Sequence, residues 1–298
     1  MRKADPSSCK WRVSAKEAGM SLLSFLREKN ELGVSVKALK RAVDGKCCAV
    51  NGHLETFSSH RLEEGDVVTL RHLPPSRPKK MPLTVLFEDQ DLLFVDKPAG
   101  LICENRYFAP LIQGRAHLIH RLDKETSGVV MLGKNKEIIE EMIALFRKKQ
   151  IRKYYLALVD GCIREEKGKM QSGLKKEAKR QATFREAKGR GAADALTLWK
   201  CLGRSQTASL LLCEPITGRT HQLRVHLNGI GHPILGDTHY GKRFRCTLKP
   251  LRHFLHAQRI AFVHPKTQSL VDVVAPLPLD FEQGLGQLGI SWSSHAPF

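Results

Sequence analysis

The chain has 298 residues, enough for two domains and a sizeable core without disulfide or metal staples. Its 49 Lys and Arg against 30 Asp and Glu leave a formal net charge of +19, which favours a polyanionic partner, nucleic acid ahead of an anionic membrane surface. No apolar run approaches the roughly 18 residues of a spanning helix, and the opening MRKADPSSCKWRV lacks the apolar core of a signal peptide, so a cytoplasmic location is expected.

Eight cysteines, at positions 9, 47, 48, 103, 162, 201, 213 and 246, form no CxxC pair and no regular framework, and read as reduced, mostly buried residues. The histidine pairs His117 with His120 and His221 with His226 lack the spacing of a zinc site, so no metal is expected.

In chain order, residues 1–10 are polar. Leu22, Leu23, Phe25 and Leu26 predict a short amphipathic helix, and Val36, Leu39, Lys40 and Val43 a second, basic one. Cys48 to His53 reads as a strand ending in an Asn51-Gly52 turn, and Leu62 to Leu70 as a second turn and strand. Two short helices followed by these two turns resemble the S4 RNA-binding domain, giving a first domain over 11–72. The resemblance implies that Lys37, Lys40, Arg41 and Lys46 face RNA phosphates. Residues 73–83 hold four prolines with Arg77, Lys79 and Lys80, and read as a semi-rigid linker.

Beyond it, Thr84 to Asp96 predicts two strands around an acidic turn, ended by Lys97-Pro98-Ala99-Gly100. The stretch His120-Arg121-Leu122-Asp123-Lys124-Glu125-Thr126-Ser127-Gly128 precedes an apolar strand, Val129 to Leu132. Cations on both sides of Asp123 favour its ionised form, although an Asp in a basic loop is more often a surface salt-bridge residue. After Asn135 as N-cap, Ile138, Met142, Leu145 and Phe146 mark one face of a helix.

Lys153 to Gly161 alternates as a strand, with Tyr155, Ala157 and Val159 on one face and Tyr154, Leu156 and Leu158 on the other. Residues 164–190 carry ten Lys or Arg against four Glu and read as a basic, mobile excursion from the core. Leu223, Leu227 and Ile230 predict a helix capped by Thr220 and stopped at Gly231. Arg224 lies beside that stripe and needs a carboxylate from elsewhere, Asp123 or, locally, Asp237. Gly284 to Gly289 matches a GxGxxG pattern with no room for a βαβ unit after it, so 281–298 reads as a flexible tail and not a cofactor site.

Taken together, Val95 to Gly100, HRLDKETSG at 120–128, KYYLALVDG at 153–161, GRTHQLRVHL at 218–227, GHPILGD at 231–237 and Phe254 to Ala257 resemble the RluA family of RNA pseudouridine synthases. The resemblance covers about residues 84–278. With the S4-like part in front, it is nearest to the members acting on large-subunit ribosomal RNA.

It implies an α+β fold for 84–280, a mixed, mainly antiparallel central sheet with flanking helices, and an isomerase that needs no cofactor. It implies Asp123 as the catalytic carboxylate, Tyr155 as the ring stacked on the flipped base and Arg224 as the cation pairing with Asp123. Arg121, His120 and Arg219 are then RNA contacts, the partner is RNA, and the protein is expected to be a monomer. A tRNA-directed synthase and a non-catalytic RNA-binding or ribosome-assembly factor are the rival readings.

Overall fold

The computed structural model describes residues 8–29, 36–45, 47–71, 83–177, 183–187, 189, 191–241 and 243–292. The chain divides into two compact units, 1–81 and 82–298. The expected linker at 73–83 lies outside the described residues except for Leu83, as do Lys46 and the side chain of Lys37.

In the first unit the elements run β1 (Ser8–Arg12), α1 (Leu22–Glu28), α2 (Val36–Asp44), β2 (Cys48–Val50), β3 (His53–Leu54) and β4 (Val67–Arg71). The strands form one antiparallel sheet in the order β1-β4-β2-β3. Leu22, Phe25 and Leu26 from α1 meet Leu39, Ala42 and Val43 from α2 over Val50, Val68 and Leu70, so the two helical stripes read from the sequence close one small core. Ser21 caps α1 by accepting the Ser24 N–H. Asn51 and Gly52 both take positive φ, as a two-residue hairpin turn requires, and Asn51 then accepts the Val67 N–H through Oδ1 at 2.9 Å. Lys40 and Arg41 lie exposed on α2.

The second unit contains β5 (Thr84–Glu88), β6 (Leu92–Lys97), α3 (Asn105–Phe108), β7 (His117–Leu118), β8 (Ser127–Gly133), α4 (Lys136–Arg147) and β9 (Arg152–Asp160). It continues with β10 (Lys167–Lys176), β11 (Phe184–Ala187), β12 (Ala193–Arg204), β13 (Ala208–Pro215), α5 (Gln222–Gly229), β14 (Leu255–Val263), β15 (Leu270–Val274) and α6 (Leu279–Gln287). One sheet runs β11-β10-β12-β13-β9-β14-β8-β6-β5, with β15 on β14 and β7 on β8. Every pairing is antiparallel except β8 with β14. This is a mixed α+β sheet with flanking helices.

That parallel pairing positions the site. Ala257 on β14 pairs with Tyr155 of β9 on one side and with Gly128 of β8 on the other, so the end of the HRLDKETSG stretch is brought beside the tyrosine strand. Gly128 has φ +110°, and a Cβ there would sit 2.2 Å from the Ala257 carbonyl oxygen, so only glycine permits the approach. On one flank, α4, capped by Asn135, buries Ile138 and Met142 with Phe94, Met131 and Phe262.

The structure corrects the sequence reading in three places. Residues 164–190 are in large part sheet: β10 and β11 pair, and Met170 and Leu174 are buried. Their apolar residues are few because an edge hairpin buries one face only. Residues 281–287 of the supposed flexible tail lie in α6, whose Phe281 ring stacks on Phe254 at 5.0 Å between centroids. The first glycine of the GxGxxG pattern, Gly284, lets this helix close on Phe254, since a Cβ there would meet that ring at 2.5 Å. Finally, α5 begins after His221, which takes the left-handed conformation (φ 57°), and ends at Gly229, leaving Ile230 exposed.

Replacing Phe281 by Ala should therefore cost about 3–5 kcal/mol of stability, measured as a lower urea midpoint with unchanged slope. A flexible tail would give no change.

Candidate active site

The loop that leads into β8 carries Asp123, and buried polar contacts fasten it along its length. Lys97 is fully buried at the end of β6, and its ammonium donates to the carbonyls of Pro98, Leu101 and Lys124 at 2.8, 3.0 and 3.0 Å. Arg252 is held by Asp280 of α6 through two bonds, 2.7 and 2.9 Å, and donates to the Glu125 carbonyl at 3.2 Å. α6 thus reaches the candidate active-site loop through one arginine.

Three histidines complete the fastening. His120 accepts the Met131 N–H through Nε2 at 3.0 Å. Thr126 Oγ1 and His253 Nε2 share a bond of 2.9 Å, and Ser127 Oγ and His256 Nδ1 one of 3.0 Å. Burial pushes all three imidazoles down to about 4, with Lys153 adding to the effect at His120 and Arg224 at His253, so at neutral pH they are uncharged. His120, expected as an RNA contact, lines the cleft but commits its Nε2 to the backbone.

Arg224 emerges from α5 into the core, 5% exposed, and meets both of the carboxylates the sequence offered. Its Nε and Nη2 donate to Asp237 at 2.7 and 2.9 Å, and its Nη1 donates to Asp123 Oδ2 at 3.0 Å. Burial acts against the guanidinium's charge, but the two carboxylates outweigh it and raise its pKa above the ordinary arginine value. Burial likewise works to raise Asp237, and the bonds from Arg224 reverse this and hold it below the usual range. The guanidinium also lies over the Tyr240 ring, 5.0 Å from its centroid.

His221 is a neighbour that sequence reasoning did not single out. Its Nε2 is 3.7 Å from Asp123 Oδ2 and its Nδ1 is 2.8 Å from the Tyr240 hydroxyl. That hydroxyl accepts the Phe184 N–H at 3.0 Å, so Phe184, Tyr240 and His221 form one hydrogen-bonded chain that ends beside Asp123. The one signal for it in the sequence was its place in the GRTHQLRVHL segment.

These groups open on a cleft of about 620 Å³, lined by Asp123, Tyr155, Arg121, Arg219, Phe146 and Lys153 among others. This falls in the range of sites that enclose a small molecule or a single base, ~300–1,000 Å³. Tyr155 is half-buried and faces the cleft, whereas Tyr154 on the other face of β9 is buried under Arg152 and Arg259. Burial, with Asp123 second, raises the Tyr155 pKa, so its ring is presented as a neutral phenol. Arg121 is exposed at the cleft, and Arg219 is exposed with its Nε on the Asp194 carbonyl at 3.1 Å. Lys40 and Arg41 belong to the other unit. Among the described residues no group of three or more His, Cys, Asp or Glu is placed to hold a metal ion, and no helix is long and apolar enough to cross a membrane.

A family model described as RNA pseudouridylate synthase matches residues 91–229. Ribosomal large subunit pseudouridine synthase D of Zymomonas mobilis is 33% identical over 289 residues, covering 87% of this chain and 90% of its own. The chain belongs to the RNA pseudouridylate synthase family. Ribosomal large subunit pseudouridine synthase C of Vibrio cholerae is 31% identical to this synthase over 260 residues, 78% of this chain and 82% of its own. Among solved structures, human RNA Pseudouridylate Synthase Domain Containing 4 superposes with a TM-score of 0.59 at 27% identity, over 70% of this chain and 94% of that one. The synthase is thus an RNA-modifying isomerase that converts uridine in RNA to pseudouridine.

Because His120, His253 and His256 are held neutral, with folded values near 4 against about 6.5 unfolded, the unfolded chain binds more protons between those limits. Their stabilising contribution is complete above pH 6.5 and is lost as pH falls. The thermal midpoint of the synthase should therefore drop steadily from pH 6.5 to 4.5, and a flat profile there would contradict the assignment. Asp237→Asn removes the charge that anchors Arg224, and should lower turnover about 10- to 100-fold while RNA affinity, measured by filter binding, stays within a factor of two or three.

Proposed function

We propose that this synthase is of the RluA type, that its substrate is large-subunit ribosomal RNA, and that Asp123, Arg224 and Tyr155 act on a uridine turned out of its helix into the cleft. The observation that carries the reading is the Asp123 carboxylate held at 3.0 Å by a buried Arg224 in the cleft that Tyr155 lines. The choice of RNA is supported by the curated relatives named as ribosomal large subunit synthases C and D.

A stacked base is out of reach, so the target nucleotide is flipped at a cost of about a few kcal/mol. The bond from the sugar C1′ to N1 then breaks, the uracil turns, a bond from C1′ to C5 forms, and the proton C5 loses is balanced by one gained at N1, so the product is an isomer of the uridine. Asp123 acts on the sugar, as nucleophile or as base, and Arg224 holds and aims its carboxylate. Tyr155 stacks on the base and, as a neutral phenol, can hydrogen-bond it. Arg121, exposed beside Asp123, fills the gap the base leaves, with Arg219 on the phosphates.

Residues 11–72 serve as an S4-like RNA-binding module ahead of the 84–280 catalytic domain. Two helices on a small sheet, the Asn51-Gly52 turn and exposed Lys40 and Arg41 support this, and Lys37 and Lys46 are proposed as further phosphate contacts by the resemblance alone. The enzyme works as a cytoplasmic monomer.

Purified protein with no added cofactor should release tritium from 5-labelled uridine in large-subunit ribosomal RNA transcripts. Asp123→Asn should abolish release and leave RNA binding within about threefold of wild type. Unaltered release by that variant would refute the assignment. Pseudouridine mapping of the transcript identifies the uridine.

A further inference from the structure

The cleft holds a cation that the reading above leaves without a role. Lys153 lies on β9 two residues before Tyr155, so both side chains leave the same face of the strand, about 7 Å apart along it. Both line the cleft. The Lys153 ammonium sits over the Phe146 ring, 5.6 Å from its centroid. Gly218 lies beside it, where a Cβ would make only an ordinary van der Waals contact of 3.8 Å with Nζ.

No described carboxylate forms an ion pair with Lys153. The acidic group that acts on it most, Glu214, is occupied by Arg152 through bonds of 2.9 and 3.2 Å. Lys97 makes the contrast: fully buried where Lys153 is half-buried, it is satisfied by three carbonyls and has a structural reason to be there. Burial pushes the Lys153 amine down to about 8, the mark of a charge held without an adequate counter-ion. A desolvated ammonium beside Arg121, Arg147, Lys149 and Arg219 is complementary to a full negative charge and not to a neutral base edge.

We propose that Lys153 is a positioning residue that grips a phosphodiester flanking the target uridine, so that the base placed against Tyr155 and its own backbone are fixed from one strand. The separation of the two side chains along β9 is on the scale of a single nucleotide. This rests on the reading that Tyr155 receives the flipped base. Lysine, a compact point charge, suits one phosphate oxygen without demanding a fixed fork geometry.

The test uses the full chain and a short RNA carrying the mapped uridine. Lys153→Met should raise KM about 10- to 100-fold with single-turnover kcat within about threefold of wild type, and should lower the slope of log affinity against log salt by about one. Lys153→Arg should restore most of both. Lys136→Met, an exposed lysine at the far end of α4, should change neither.

Neutral methylphosphonate at the phosphate on one side of the uridine should weaken wild-type binding by a similar factor and Lys153→Met no further. Losses that add at both flanking phosphates, or a loss of kcat with KM and salt slope unchanged, would overturn the proposal. So would wild-type binding indifferent to both methylphosphonates, a result that does not depend on any variant folding. If wild-type protein binds the RNA but makes no pseudouridine, the substrate assignment fails, while the salt slope and the methylphosphonates still decide the role of Lys153.

Discussion

The site depends on one buried guanidinium shared between two carboxylates. Asp237 takes two of the nitrogens of Arg224 and so fixes the plane of the group; only then does the third nitrogen point in a set direction, at Asp123. An isolated buried cation would cost several kcal/mol, and here that cost is offset by anions on two different segments, one beyond α5 and one in the loop before β8. Tyr240 closes the other side of the guanidinium and also orients His221 toward the same carboxylate. The position of Asp123 is therefore dictated by the core around α5 as much as by its own loop.

That loop is irregular, and irregular backbone keeps a geometry only when its polar groups are satisfied. Lys97 at the end of β6, Arg252 and His253 just before β14 and His256 on β14 supply the partners, and the loop's own His120 bonds to Met131 of β8. Neutral imidazoles are suited to this because they bond hydroxyls and N–H groups without adding positive charge next to Arg224. The same requirement explains why α6 belongs to the catalytic unit. Phe281 packs it onto Phe254, which leaves Asp280 positioned to hold Arg252 against the loop.

Two lysines of the second unit illustrate how partners separate structural from functional charge. Lys97 and Lys153 are both pushed down to about 8, yet one is coordinated by carbonyls and the other faces an open cleft with an aromatic ring for company. The shift alone does not distinguish them. Their partners do.

Much of the protein was legible from residue order because periodicity and turn chemistry are local. The paired helical stripes at 22–26 and 36–43, the Asn51-Gly52 turn, the Asn135 cap and the alternation at 153–160 are each dictated within a few residues, and each forms as expected. The need of Arg224 for a carboxylate also followed from its place beside an apolar stripe. What residue order did not determine is everything that depends on a distant surface. Met170 and Leu174 looked too sparse for a core because a hairpin at the end of the sheet buries one face only, and Phe281 looked like part of a tail because the ring it stacks on lies 27 positions earlier. Whether Arg224 chose Asp123 or Asp237 could not be read from spacing, and the structure answers that it takes both. Sequence by itself determined the chemical groups and their local scaffolds; the tertiary structure alone decided which of them share a counter-ion, because that is a matter of distance through space between residues 101 positions apart.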